Sequence, residues 1–174
     1  MSSAFISSFQ SPVGVDDLRE RYVAGMSNID ILLADRDEGW TVWTVPKDAR
    51  TGDRVYFMCA KTSRKHIRDA LREAKALGDV ELIRFAEEQK EKYDRCAGKI
   101  LAAGVVVGRP YQSSSEWKHQ YWRSPWYARI EQLEFLDRPV DITEFRDFIF
   151  VSRTGAITRL DGEQEGRLLR LIRP

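Results

Sequence analysis

The chain has 174 residues, with 28 Lys+Arg against 27 Asp+Glu, and it is 43% hydrophobic and 32% charged. That length suits one domain with a real core, and the composition excludes a disordered chain. The net charge of +1 excludes a uniformly basic coat for a polyanion while leaving room for a local basic patch.

Ala4 to Phe9 reads as a first strand, stopped by Ser11-Pro12. Asp16 then caps an expected helix with Leu18, Tyr22 and Met26 at near-helical spacing. Trp40 to Val45 is β-branched and aromatic and ends at Pro46, a strand pattern. Thr51-Gly52-Asp53 is a turn, and Arg54 to Ala60 reads as a buried strand.

Residues 63–96 change character. Ile67, Leu71 and Leu77, then Leu82, Phe85, Ala86 and Tyr93, predict two helices split at Gly78-Asp79. Nine Lys/Arg face eight Asp/Glu there, so the pattern fits a solvated hairpin with one core-facing stripe, or an arm for a protein partner.

Lys99 to Val107 returns to strand and ends at Gly108-Arg109-Pro110. Tyr127 to Leu136 alternates, though the set Arg129, Glu131, Leu133, Phe135 fits one packed face only in part. Asp137-Arg138-Pro139 reads as a turn, and Ile142 to Phe150 as helix or strand. Asp161 caps a terminal helix with Leu168, Leu169 and Ile172 on one side. Short strands bracketing helices point to an α+β protein built on a small, mostly antiparallel barrel.

No apolar run reaches the ~20 residues of a membrane span, and the N-terminus lacks a secretory pattern. Cys59 and Cys96 are too few for a disulfide scaffold and have no metal-ligand company. A cytoplasmic protein without metal or cofactor is the expectation. No phosphate loop, dinucleotide fingerprint, HExxH or CxxC occurs, and neither His66 nor His119 lies in a nucleophile arrangement.

Residues 109–129 stand out. Tyr111, Trp117, Tyr121, Trp122, Trp126 and Tyr127 interleave with Arg109, Lys118, Arg123 and Arg129, against Glu116 alone, a local charge of +3. Residues 131–147 instead carry six acidic groups against Arg138 and Arg146. Rings stack on bases at ~1–3 kcal/mol each while cations follow the backbone. The same rings would also close one end of a barrel.

The motifs also follow one another in a telling order. Trp43 and Pro46 precede Gly52-Asp53-Arg54-Val55-Tyr56-Phe57, then the Gly98 to Gly108 stretch with its valine run. Trp117, Leu136-Asp137-Arg138-Pro139-Val140 and Thr158-Arg159-Leu160 follow. This series resembles the EVE family of the PUA-like superfamily and, more loosely, YTH and ASCH domains. The likeness covers residues 4–62 and 97–174 of a single domain, with 63–96 as a helical insertion. The ASCH pattern G-x-K-x-x-E-x-R is not visible.

The resemblance implies a module that binds nucleic acid, DNA or RNA, and holds one base, a methylated one, in an aromatic-lined pocket. Carried over, the pocket candidates are Trp40 or Trp43, Tyr56, and the polar stretch Lys61-Thr62-Ser63 for the base edge. Trp117, Trp122 or Trp126 would close the other side. Arg109, Lys118, Arg123 and Arg159 are the phosphate candidates. Trp43 and Tyr56 fit the core as well as a pocket, because alternation sends only one of Val42 and Trp43 to each face. The rival readings are a small nuclease or hydrolase using the same pocket, a protein-interaction module built on the 63–96 hairpin, and a site for a nucleotide or other small planar ligand.

Overall fold

The computed structural model describes residues 2–112, 125–151 and 156–173. Six strands and six helices lie among them: β1 Ala4–Phe9, α1 Gly14–Ala24, α2 Asn28–Asp35, β2 Trp40–Thr44, β3 Arg54–Cys59, α3 Ser63–Leu77, α4 Val80–Cys96, β4 Lys99–Gln112, β5 Trp126–Asp141, α5 Ile142–Phe145, β6 Ile157–Leu160 and α6 Gly162–Ile172. The strands form one sheet in the order β2-β5-β4-β3-β1-β6. The chain divides into a sheet unit (Met1–Ser8, Asp35–Met58, Ile100–Pro174) and a helical unit (Phe9–Ala34, Cys59–Lys99).

In the sheet unit, β1 pairs antiparallel with β6, β2 with β5, and β3 with β4. The sheet curls on itself, because the Ser7 hydroxyl on β1 donates to the Thr44 carbonyl on β2 at 3.4 Å although four places separate these strands in the order. The Trp43 ring meets Phe57 edge to face, 5.4 Å between centroids. Phe5, Val55, Phe57, Ala102, Val106, Ala128 and Ile130 are likewise buried. On the sheet's other side Ala4, Ile6, Tyr56, Met58, Ile100, Val140 and Leu160 form a second core with Phe145, Ile149 and Leu168.

The Gly-Asp turn has a mechanical role. Gly52 adopts φ +96°, which side chains rarely tolerate. The buried Asp53 carboxylate then accepts from the backbone N–H of Ser3 and of Arg50, each at 2.8 Å. The small residue in the following strand is required for space instead: a Cβ at Gly104 would lie 2.5 Å from Ile130 Cγ2 and 3.1 Å from the Glu131 carbonyl.

Four expectations are corrected. The helix expected to be capped by Asp16 begins at Gly14, and it is the Asp17 carboxylate that accepts from the Val13 N–H at 2.8 Å. An additional helix, α2, follows it; Ser27 precedes this helix, and the Asp30 carboxylate accepts the Ser27 N–H at 2.9 Å, half of a capping box. Strands β4 and β5 run through the two proline-containing stretches expected to end or follow them. Proline is tolerated at 139 because β2 pairs with β5 only as far as Glu131. The partial alternation along β5 also has a cause. Gln132 has φ +52°, which shifts the in–out parity, so Ala128 and Ile130 are buried before it and Leu133 after it.

In the helical unit, α3 packs on α4 and α1 packs on both, and the hairpin begins and ends as expected. The Asp79 carboxylate caps α4 by accepting from the Leu82 N–H at 3.1 Å. A buried polar network joins α2 to α4. The Ser27 hydroxyl donates to Gln89 Oε1 at 2.5 Å and lies 2.9 Å from the Tyr93 hydroxyl. Asp30 also accepts from Gln89 Nε2 and Lys92 Nζ, at 2.7 and 2.5 Å. Burial works against the Asp30 carboxylate, but these donors outweigh it and hold its pKa below the usual value. Cys59 and Cys96 are buried free thiols. Burial first, and the neighbouring Cys96 second, push the Cys59 thiol up, so it stays protonated at neutral pH.

Candidate nucleic-acid interface

The β2–β5 ribbon of the sheet unit presents aromatic rings with cations against them. Its register pairs Trp40 with Glu131, Val42 with Arg129 and Thr44 with Tyr127. Strand parity therefore places Trp40, Val42 and Arg129 on one face, where the Arg129 guanidinium lies 4.2 Å from the Trp40 ring centroid. Arg129 is also bonded to Glu131 at 2.8 Å. At the other end of the ribbon the Trp126 carbonyl accepts from the Val45 N–H at 2.9 Å and the Thr44 hydroxyl at 3.2 Å. Lys47 Nζ lies 5.3 Å from the Trp126 ring centroid. Beyond the ribbon's paired residues, Arg36 covers Phe135 at 5.1 Å. A cation over a ring face is worth about 0.5–1 kcal/mol when exposed.

The candidates from sequence are distributed as follows. Trp40 and Trp126 are half-buried and lie about 16 Å apart along the ribbon, five residues at strand rise. Trp43 is 3% exposed, packed on Phe57. Tyr56 is 1% exposed, and its hydroxyl donates to Glu165 Oε1 at 3.0 Å. Burial, and then the nearby Glu165 carboxylate, raise the Tyr56 pKa far above its ordinary value, so this hydroxyl remains a donor at any working pH. Both side chains thus pack and tie the sheet unit together.

Arg109 is exposed at the far end of β4, and Arg159 is exposed on β6. Arg159 Nη2 bonds Asp48 Oδ1 and holds that carboxyl below its usual range. An anion at Arg159 would therefore compete with Asp48. Lys61, Thr62 and Ser63 fall in the helical unit. Lys61 and Thr62 are exposed and Ser63 is buried. The Ser63 hydroxyl accepts from the Ser11 N–H at 3.1 Å and its carbonyl accepts from the Ser11 hydroxyl at 2.9 Å. Trp117, Trp122, Lys118 and Arg123 lie outside the described residues, as does His119.

Sequence reasoning missed the partners that give these groups their setting. Lys47 follows Pro46 outside any motif, and Ser11 looked like strand punctuation. The signal for Lys47 was available in part, since it immediately follows the WTVWTVP strand. Among the described residues no group of three or more His, Cys, Asp or Glu side chains could hold a metal ion, and no helix is long and apolar enough to cross a membrane.

A curled six-stranded, mostly antiparallel sheet with the Gly-Asp turn before β3, a close-packed glycine in β4 and a capped terminal helix on one sheet face defines the class: the fold is PUA-like. Two solved structures share it. Human THYN1, in a crystal structure with 5-methylcytosine-containing DNA, superposes with a TM-score of 0.54 at 12% identity, covering 99% of each chain. The protein Atu2648 from Agrobacterium tumefaciens superposes with a TM-score of 0.53 at 9% identity, covering 99% of this chain and 97% of its own. No family model matches the sequence, and no curated protein matches it.

Proposed function

We propose that this chain is a nucleic-acid-binding module that holds a methylated base against an aromatic side chain of its sheet unit. The observation carrying the proposal is the likeness, over 99% of both chains, to a protein crystallised with 5-methylcytosine-containing DNA. The residues of this chain support it. Trp126 has a cation at its ring and directly follows the basic, aromatic stretch 109–125 that also carries Trp117 and Trp122. We assign the stacked base to Trp126, and keep Trp117 and Trp122 as further candidates for base contact from the neighbouring sequence. Trp40 under Arg129 is a separate stacking position, since strand parity puts it on the opposite face of the ribbon from Trp126 as well as about 16 Å along it. Arg109, Lys118, Arg123 and Arg159 take the phosphates.

The energetics divide accordingly. Phosphate neutralisation supplies salt-dependent affinity, and a ring stacked on a base supplies about 1–3 kcal/mol. A base methyl adds on the order of 1 kcal/mol of apolar burial, enough to discriminate severalfold. The proposal is tested by titrating the protein with DNA and RNA oligonucleotides, methylated and unmodified, at one moderate salt concentration. Binding that strengthens with the methyl group is expected; folded protein that binds none of them overturns the proposal.

A further inference from the structure

The sheet unit carries a second cluster of cations and rings, on α6 and the stretch after α5. Helix α6 is firmly seated. Asp161 and Gln164 form a complete capping box at its start, and Leu168 belongs to the second core. Glu165 accepts from Tyr56 and from Arg54, at 3.0 and 3.3 Å. Near the other end the Leu171 carbonyl accepts from Arg138 at 3.5 Å.

Arg167, Arg170 and Arg173 recur every third residue and are all exposed; Arg167 and Arg170 are neighbours on one side of α6, and Arg173 is the residue that caps its C-terminal end. None of the three side chains has an ion pair or hydrogen bond among the described residues. Elsewhere in the unit Arg54, Arg129, Arg138 and Arg159 each have a carboxylate. Compensation of the helix dipole does not account for the set, because that effect fades within the last turn and Arg167 lies at mid-helix. Arg167 instead covers the Phe148 ring at 4.0 Å, and the Phe148 carbonyl accepts from Gln164 at 2.9 Å. Two residues on, Phe150 is 84% exposed, an unusual position for a large apolar ring. The acidic groups of the helix do not cancel the arginines: Glu163 is in the first turn, and Glu165 is taken by Arg54 and Tyr56.

We infer that the outer side of α6, together with Phe150, is a second nucleic-acid contact that grips the phosphodiester backbone with Arg167, Arg170 and Arg173 and stacks a base on Phe150. The inference rests on the nucleic-acid reading above and adds to it a surface remote in sequence from the aromatic segment. Its geometry suits the ligand. The three Cα positions span about 9 Å of helix axis, between two and three base steps of about 3.4 Å. Guanidinium groups take phosphate oxygens in bidentate fashion.

The experiment compares wild-type protein with an Arg167→Gln/Arg170→Gln/Arg173→Gln variant. Fluorescein-labelled single-stranded and duplex DNA are titrated at several salt concentrations. The slope of log K against log salt is expected to shrink by about two to three units in the variant. The triple Arg→Lys variant retains most of that slope, and Phe150→Ala loses on the order of tenfold in affinity. An unchanged slope in the glutamine variant, with an unchanged melting temperature, overturns the inference. Should that variant melt early, Arg170→Gln/Arg173→Gln preserves the Arg167–Phe148 contact, and an unchanged slope there is equally fatal. The two readings fail differently. Wild-type protein that binds no DNA overturns both, whereas binding that is lost in Trp126→Ala but indifferent to the arginines overturns only this one.

Discussion

The sheet unit and the helical unit differ in what their cations meet: carboxylates in both, but aromatic rings only in the sheet unit among the described residues. In the helical hairpin the cations are largely neutralised by their own neighbours. Lys65, Arg68 and Arg72 face Asp69, Arg64 and Lys90 face Asp94, Arg95 faces Glu91 and Lys92 faces Asp30. In the sheet unit Arg36, Lys47, Arg129 and Arg167 lie over aromatic rings, and among the described residues all four cation–ring contacts fall there. A net charge of +1 therefore sums a largely self-screened helical hairpin and a sheet unit in which Arg54, Arg129, Arg138 and Arg159 meet carboxylates while Arg36, Lys47 and Arg167 lie over rings. The total hides this division.

The largest effect expected from breaking this contrast separates packing tryptophan from presenting tryptophan. Trp43→Ala should cost about 3–5 kcal/mol in denaturant unfolding, the cost of emptying a buried aromatic site. Trp126→Ala should instead leave the melting temperature nearly unchanged and weaken oligonucleotide binding by about 1–3 kcal/mol, on the order of tenfold or more. Equal stability losses in both would move Trp126 into the core.

The two units also use glycine differently. Gly104→Ala forces a methyl group into Ile130 and the Glu131 carbonyl, and should cost about 3 kcal/mol. Gly78, between α3 and α4, has φ +69° and open space around it, so Gly78→Ala should cost only about 1 kcal/mol of backbone strain. Urea unfolding of both variants checks the order, and a Gly78→Ala loss matching that of Gly104→Ala would contradict it.

Acid should reach the helical unit through Asp30. Its folded pKa is depressed, so its contribution is complete above the unfolded value near 4 and is lost as pH falls through the lower, folded value. The melting temperature of Asp30→Asn should accordingly vary less with pH below about 4 than that of the wild type. Parallel pH profiles would remove Asp30 from that role.

The smallest effect concerns Arg159. Asp48→Asn releases it from an exposed pair and should tighten oligonucleotide binding by about two- to threefold. Weaker binding by this variant would argue against a phosphate at Arg159.

Much of this architecture was legible in residue order, for local reasons. The hairpin bounds follow from apolar spacing and the Gly78-Asp79 break, and α6 from Asp161. The Gly-Asp turn follows from one strained backbone position and one buried carboxylate. Helix α2 was not legible, because the acceptor for the Ser27 N–H is Asp30, inside a run that reads as plain apolar helix or strand, and its remaining bonds come from α4. The parity change at Gln132 could not be foreseen either, since nothing in its side chain demands positive φ. For the site, sequence marked aromatic and basic positions but not their orientation. Trp40 and Trp43 are three residues apart with similar surroundings in sequence, yet one stacks under Arg129 while the other is buried against Phe57. Which ring faces outward is set by strand register, a tertiary property.

The account turns on whether the sheet unit's aromatic and cationic surface receives nucleic acid with a methylated base. The most direct measurement is a titration of folded protein with matched oligonucleotides that differ in one 5-methylcytosine, at fixed moderate salt. The account predicts measurable binding to both, tighter for the methylated strand by about fourfold, the worth of one buried methyl group. No binding to either strand would contradict it.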